Sequence, residues 1–304
     1  FYGFEFNYQL SIINYQLSIT FSGGSEMEKN KLGYLYIILA MITWGSIGLI
    51  VRFINLPAQL IVFYRVLFAF IFLLLLVTRS QELSLDKLLQ HKILLLTTGG
   101  ALTVNWIFFF KAVKTTTIAN ATLSYYTAPI IATILSIFFL KENLTKDNLL
   151  ALVLSFAGIV IISDINQLSL TGIEGIGYGL LAAFFYALFM VLNKFFSEVS
   201  ARVLTLGQTG VAILILLPLI YNHPLPQGQE WFWLLVLGII HTAGALVLYV
   251  KGLSLSKVQD VGVLSYIDPI SAIFLAALFL GEIPSLLTVI GGALILGGCY
   301  LVWR

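Results

Sequence analysis

The chain is a succession of ten apolar runs, at approximately 32–54, 58–78, 92–112, 117–139, 147–164, 174–194, 202–221, 230–251, 258–280 and 284–303. Each approaches the ~20 residues that a helix needs to cross a hydrocarbon core of about 30 Å. The runs are continuous rather than alternating, which excludes the strands of a membrane β-barrel. The polar breaks between them are short: Asn55 to Gln59, Arg79 to Lys92, Lys141 to Asp147, Asp164 to Gly175 and Asn222 to Glu230. None can house a soluble domain. The pattern predicts an all-α integral membrane protein of ten transmembrane helices.

The pattern also repeats. At a constant offset of 140, Lys111 matches Lys251, Tyr126 matches Tyr266, Pro129 matches Pro269, Leu140 matches Leu280, Glu142 matches Glu282 and Gly158 matches Gly298. The front of each half matches less well at an offset of 142, where Ala40, Arg52 and Phe53 meet Ala182, Lys194 and Phe195. Five spans per copy give the copies opposite topology, so the expectation is two inverted five-helix repeats. Secondary transporters use that arrangement to build a cavity at the bilayer midplane.

Charge gives the orientation. With the N-terminus inside, inner positions hold Lys29, Lys31, Arg79, Lys87, Lys92, Lys141, Lys146, Lys194, Arg202, Lys251, Lys257 and Arg304. Outer positions hold Arg52, Lys111 and Lys114, and Arg65 lies within a span. Twelve against three is a positive-inside vote for cytoplasmic termini in a cell membrane. Composition agrees with the class: 60% of residues are hydrophobic and 10% charged, against about 25% charged in soluble domains. The net charge of +2 carries no basic cluster of the kind that binds nucleic acid. The single cysteine, Cys299, excludes a disulfide framework, and three unclustered histidines offer no metal set.

Residues 1–26 do not share the pattern. NYQLSI occurs at 7–12 and again at 14–19, ahead of Met27, Glu28, Lys29, Asn30 and Lys31. The expectation is an upstream-translated or otherwise non-native segment that is dispensable, followed by a first half at 27–163 and a second at 164–304.

Candidate chemistry sits inside the runs. Pro129 and Pro269 remove a backbone donor mid-span and predict a symmetric pair of bends. Asp268 is the most expensive residue in the chain, since a carboxylate at a helix centre costs about 2.5–3.5 kcal/mol on insertion scales. It must face a cavity or a partner: a substrate amine, a proton site or an internal strut. Arg65 either snorkels to an interface, pairs with a buried carboxylate or holds a substrate carboxylate. His241 is a strut or a titrating group. Trp44, Asn105, Trp106, Tyr125, Tyr126, Tyr186, Tyr249 and Tyr266 offer an amphipathic lining suited to organic solutes. Asn120 and Asp260, at the start of their spans, read first as helix caps. The small residues of the fifth and tenth runs, including Gly158, Gly291, Gly292, Gly297 and Gly298, suit close helix packing or a homodimer surface.

Several of these features together resemble the EamA branch of the drug/metabolite transporter superfamily. They are Trp44-Gly45-Ser46, Arg65, Pro129 with Leu140-Lys141-Glu142, and Pro269 with Leu280-Gly281-Glu282. The second half departs in having Tyr186-Ala187 opposite Trp44-Gly45 and no arginine opposite Arg65. The resemblance implies a secondary transporter, an exporter of small organic metabolites such as amino acids. No cofactor is expected, and the expected partners are its solute, the bilayer and, on the dimer reading of the small-residue helices, a second copy of the chain. The alternative is a non-transporting membrane scaffold, against which the buried Asp268 and Arg65 speak. An intramembrane enzyme would want clustered catalytic groups, and the sequence shows none.

Overall fold

The computed structural model describes residues 28–80, 85–163, 172–196, 198–221, 223 and 225–304. The NYQLSI duplication and Met27 lie outside them. Among the described residues the ordered elements are helices. Nine are long and apolar enough to cross a bilayer. They comprise α1 (Glu28–Val51), α2 (Ala58–Arg79), α3 (Lys92–Thr115), the pair α4 and α5 (Ile118–Tyr125 and Ala128–Leu140) and α7 (Ile173–Asn193). The others are α8 (Ala201–Leu216, running on to Ile220), α9 (Glu230–Leu255), the pair α10 and α11 (Val258–Leu264 and Ile267–Leu280) and α12 (Leu286–Trp303). The remaining apolar run is α6, Lys146–Ile162, whose 17 residues rise about 25 Å. Residues 164–171, beyond its end, are outside the described part.

Hydrophobic side chains cover the outside. Phe138, Phe139, Phe274, Leu278, Phe279 and Leu75 are all exposed, a surface that water would not tolerate at this extent and that lipid requires. The protein is a multi-pass membrane protein.

The two halves share local detail. Thr145 caps α6 by accepting from the Asn148 N–H, and Ser285, its mate at offset 140, caps α12 by accepting from the Thr288 N–H. Lys141 and Gly281, also mates, both end their helices in the left-handed region, at φ 55° and 68°. A lysine there is disfavoured by its Cβ, whereas glycine takes the conformation without strain.

Pro129 and Pro269 act more drastically than bends. Each span stops before its proline and restarts, at Tyr126–Thr127 and at Ser265–Tyr266. Pro129 is the second residue of α5 and Pro269 the third of α11, positions where a missing N–H costs nothing because first-turn amides have no helical partner. The interruption frees backbone groups mid-span. One is satisfied across the halves: Tyr266 donates its hydroxyl to the Tyr126 carbonyl at 2.9 Å.

Helices α6 and α12 pack along each other, with no room for a side chain at the crossing. A Cβ on Gly158 would lie 2.5 Å from the Gly291 carbonyl oxygen, and one on Gly291 2.6 Å from that of Gly158. Gly298 faces Ser155 and Ala151 in the same seam, while Gly292 and Gly297 face open space. Three of the small residues read as packing or dimer candidates are thus consumed by contact within the chain.

Candidate functional site

Helices α1 to α4, α6, α7, α9 and α11 line a cavity of about 750 Å³, with a mouth where exposed Ile118 borders it. That volume lies within the ~300–1,000 Å³ of small-molecule sites. Ile47, Val51, Ile54 and Ile118 line it together with Arg65, Asn105, Trp106, Asp268 and the aromatics Trp44, Tyr125, Tyr126 and Tyr186. Its wall is apolar with a few converging polar groups, one of them a cation and one a carboxylate.

Asp268 stands in the first turn of α11, so the helix break that Pro269 enforces also sets the partial positive charge of a helix start beside the carboxylate. Tyr126 donates to Asp268 Oδ2 at 3.2 Å. Arg65 lays its guanidinium over the Trp106 ring, 4.7 Å from the centroid, a cation–π arrangement that strengthens away from water. Its buried Nε has no hydrogen-bond partner, and no carboxylate lies within 4 Å of it, among the described residues. An internal ion pair for Arg65 is therefore absent among the described residues, and the residue lines the cavity.

His241 lies on a stretch of α9, Leu237–Gly244, wound as a π-helix. Such wide turns leave i−4 carbonyls to other partners and recur at functional sites. Here Trp44 donates its indole N–H to the His241 carbonyl at 2.8 Å, Thr242 donates to Leu237 O at 2.9 Å, and His241 Nε2 sits 2.8 Å from Ser46 Oγ. Ser46 marks the turn that interrupts α1. Sequence reasoning passed over Ser46 as a partner and over Phe109 and Phe110 as wall residues. The Trp44-Gly45-Ser46 triplet was the available signal, because Gly45 and Ser46 invite a break in an otherwise apolar helix.

Two of the expected lining residues are elsewhere. Tyr249 is fully buried behind the wall, 5.1 Å from Trp44 and 6.0 Å from Tyr186 between ring centroids, where it backs the lining without touching the cavity. Tyr266, also fully buried, is the strut to Tyr126 already described. Pro269 lines the main cavity, and Pro129 lines a second void of about 40 Å³ beneath it. Trp44, Tyr125, Tyr126, Tyr186 and Asp268 border both spaces and form the floor between them. Asn105 Nδ2 donates to Ala182 O at 2.9 Å, tying α3 to α7.

The capping expectation for Asn120 and Asp260 is corrected. Thr117 caps α4 by accepting from the Asn120 N–H, and Asn120 directs Nδ2 to Thr116 Oγ1. Asp260 caps nothing. It accepts from Tyr34 Oη and from Asn148 Nδ2, both at 2.7 Å, across the boundary between the halves.

One family model, that of the EamA-like transporter family, matches the chain twice, at residues 31–164 and 173–304. The chain belongs to the EamA-like transporter family. Among its relatives, an uncharacterized transporter, YxxF, of Bacillus subtilis is 32% identical over 90% of both chains. An uncharacterized transporter of Archaeoglobus fulgidus is 28% identical over 90% of this chain and 97% of its own. The pseudopaline exporter CntI of Pseudomonas aeruginosa is 27% identical over 90% and 96%. One solved crystal structure superposes with a TM-score of 0.80 over 88% of this chain and 95% of the other at 22% identity, which shows the shared fold. The chain is thus a membrane transporter by family.

Proposed function

We propose that this EamA-family protein is a secondary transporter of small zwitterionic metabolites, amino acids among them, which it exports by alternating access between two inverted five-helix halves. The observation that carries this reading is the cavity itself. A guanidinium with no carboxylate partner and a carboxylate held by one tyrosine line the same apolar, aromatic space. Arg65 then takes the solute's carboxylate, Asp268 its ammonium, and Trp44, Trp106 and Tyr186 its hydrocarbon. Each fixed charge is costly in a membrane interior until a counter-charge arrives, so solute binding relieves a cost the empty site already bears.

The twelve-to-three distribution of Lys and Arg supports cytoplasmic termini. Tyr34 and Trp303, near the two ends of the described chain, have ring centroids 6.1 Å apart, at the closed end opposite the cavity mouth. The cavity accordingly opens outward in this state. Outward direction of net transport is supported by one relative that is by name an exporter.

The test is counterflow in proteoliposomes, with labelled amino acids of differing side chains outside and unlabelled ones inside. Saturable exchange that requires both the free amine and the free carboxylate of the solute is the expected result. Exchange indifferent to blocking both groups would overturn the zwitterion reading, and no saturable flux of any amino acid would refute the substrate class.

A further inference from the structure

The two ends of the molecule carry repeat-related residues in two different arrangements. At the closed end, Glu142 accepts from the backbone N–H of Val258 at 3.0 Å and of Gln259 at 3.4 Å. Lys194 donates to the carbonyls of Leu253 at 3.1 Å and Ser256 at 2.9 Å. Tyr34 and Asn148 close on Asp260, both at 2.7 Å. Val258 and Gln259 are 0% and 1% exposed. Apart from the Lys194 bonds, every one of these contacts joins the first half to the second.

The repeat supplies the counterparts at the open end. Glu282 is the mate of Glu142, Ile118 and Ala119 are those of Val258 and Gln259, and Arg52 is that of Lys194 at the front offset of 142. There the carboxylate is not on the helix start. Glu282 pairs instead with Arg52 at 2.9 Å, both side chains being more than half exposed. Ile118, the mate of fully buried Val258, is 73% exposed at the cavity mouth.

Resting on the alternating-access reading above, we infer that Glu142 and Glu282 are reciprocal latches, each exchanging a helix-start contact for an ion pair as its end opens. In the state seen here Glu142 is latched and Glu282 is parked on Arg52. In the opposite state Glu282 closes on the amides of Ile118 and Ala119, while Glu142 leaves Val258 and Gln259 and parks on Lys194. Neither glutamate is stranded in either state, because each always has either backbone donors or a cation. The ends are not equivalent. Asp260 has Asn120 as its mate and Tyr34 has Ile176, so the closed end holds an additional carboxylate lock that the other end lacks. That asymmetry biases the resting population toward the state observed.

The experiment reads accessibility rather than flux. In a Cys299→Ala background, single reporters Ile118→Cys and Val258→Cys are labelled with a polar maleimide in nanodiscs, where the reagent reaches both ends. With the latches intact, the Ile118 reporter labels fast and the Val258 reporter slowly. Glu142→Ala should raise the Val258 rate about tenfold or more and lower the Ile118 rate. Tyr34→Phe, which removes one bond to Asp260 and keeps the ring, should shift both in the same direction by less, and it serves if Glu142→Ala does not fold. Glu282→Ala should leave the Val258 reporter protected. Unchanged rates in both Glu142→Ala and Tyr34→Phe, or a Glu282→Ala variant that exposes Val258, would overturn the latch. Labelling needs no solute, so a wrong substrate assignment leaves this result readable. Wild-type flux of amino acids alongside static labelling would sink the latch while leaving the transport reading intact.

Discussion

Replacing Asp268 with asparagine isolates the charge of the cavity carboxylate. Asparagine has nearly the same shape and still accepts from Tyr126, whose hydroxyl is 3.2 Å from Oδ2. What disappears is the negative charge, in two places. At the start of α11 the charge–dipole contribution is about 0.3–1 kcal/mol, so the melting temperature should drop only slightly. Against a solute ammonium the loss is larger. Two unit charges 4 Å apart interact by about 4 kcal/mol at an effective dielectric of 20. Dehydration of the ammonium offsets much of that, leaving the ~1.5–3 kcal/mol of a charge-assisted hydrogen bond. At 1.4 kcal/mol per factor of ten, affinity falls by roughly 10- to 150-fold. Counterflow should show that loss for solutes with a free amine, and N-acetylated analogues, already weak, should lose little more. A variant that is folded and exchanges free amino acids within about twofold of wild type would refute the contact and hand the site to its aromatic wall.

Other outcomes follow from named contacts. Arg65→Lys keeps the charge but loses the planar stack on Trp106 at 4.7 Å, worth about 0.5–2 kcal/mol; solute affinity should fall several-fold in the same counterflow assay, and wild-type affinity would show that the stack does not position the cation. Gly291→Ala puts a methyl 2.6 Å from the Gly158 carbonyl oxygen and should cost about 1–3 kcal/mol of stability, read as a lower melting temperature, whereas Gly292→Ala, facing open space, should change it little. Ile283→Cys, at a position 94% exposed, should react with impermeant maleimide from outside intact cells, and Leu144→Cys, in the corresponding loop of the first half, only after permeabilisation; the reverse pattern would invert the orientation.

The apolar runs located the helices because a bilayer imposes one length and one polarity on every span; among the described residues, the ten runs correspond to nine helices of spanning length and the shorter α6. The site was legible where the signal was a charge out of place: Asp268 and Arg65 are costly in a membrane whatever surrounds them, and both line the cavity. It was less legible where the residue was merely amphipathic. Tyr249 and Tyr266 have the same chemistry as Tyr125 and Tyr126, and only the helix rotation puts the first two behind the wall. The prolines announced a disturbance but not its size, since a bend and a restarted helix both follow from a missing N–H. The π-helical turn at His241 leaves no pattern in the residues. Asp260 was misread because its position at a helix start suggested a local bond, while its partners Tyr34 and Asn148 are remote in sequence.

The seam between α6 and α12 has a mechanical meaning. At Gly158 and Gly291 two backbones touch, one from each half, with no side chain between them to stretch or fold away. Pulling them apart would forfeit the close van der Waals packing that small residues allow between membrane helices. Sliding would drive Ile162 and Ile295, which flank the crossing, into the opposite helix. What remains is rotation about the contact. On the alternating-access reading, the crossing is the pivot about which the two halves turn.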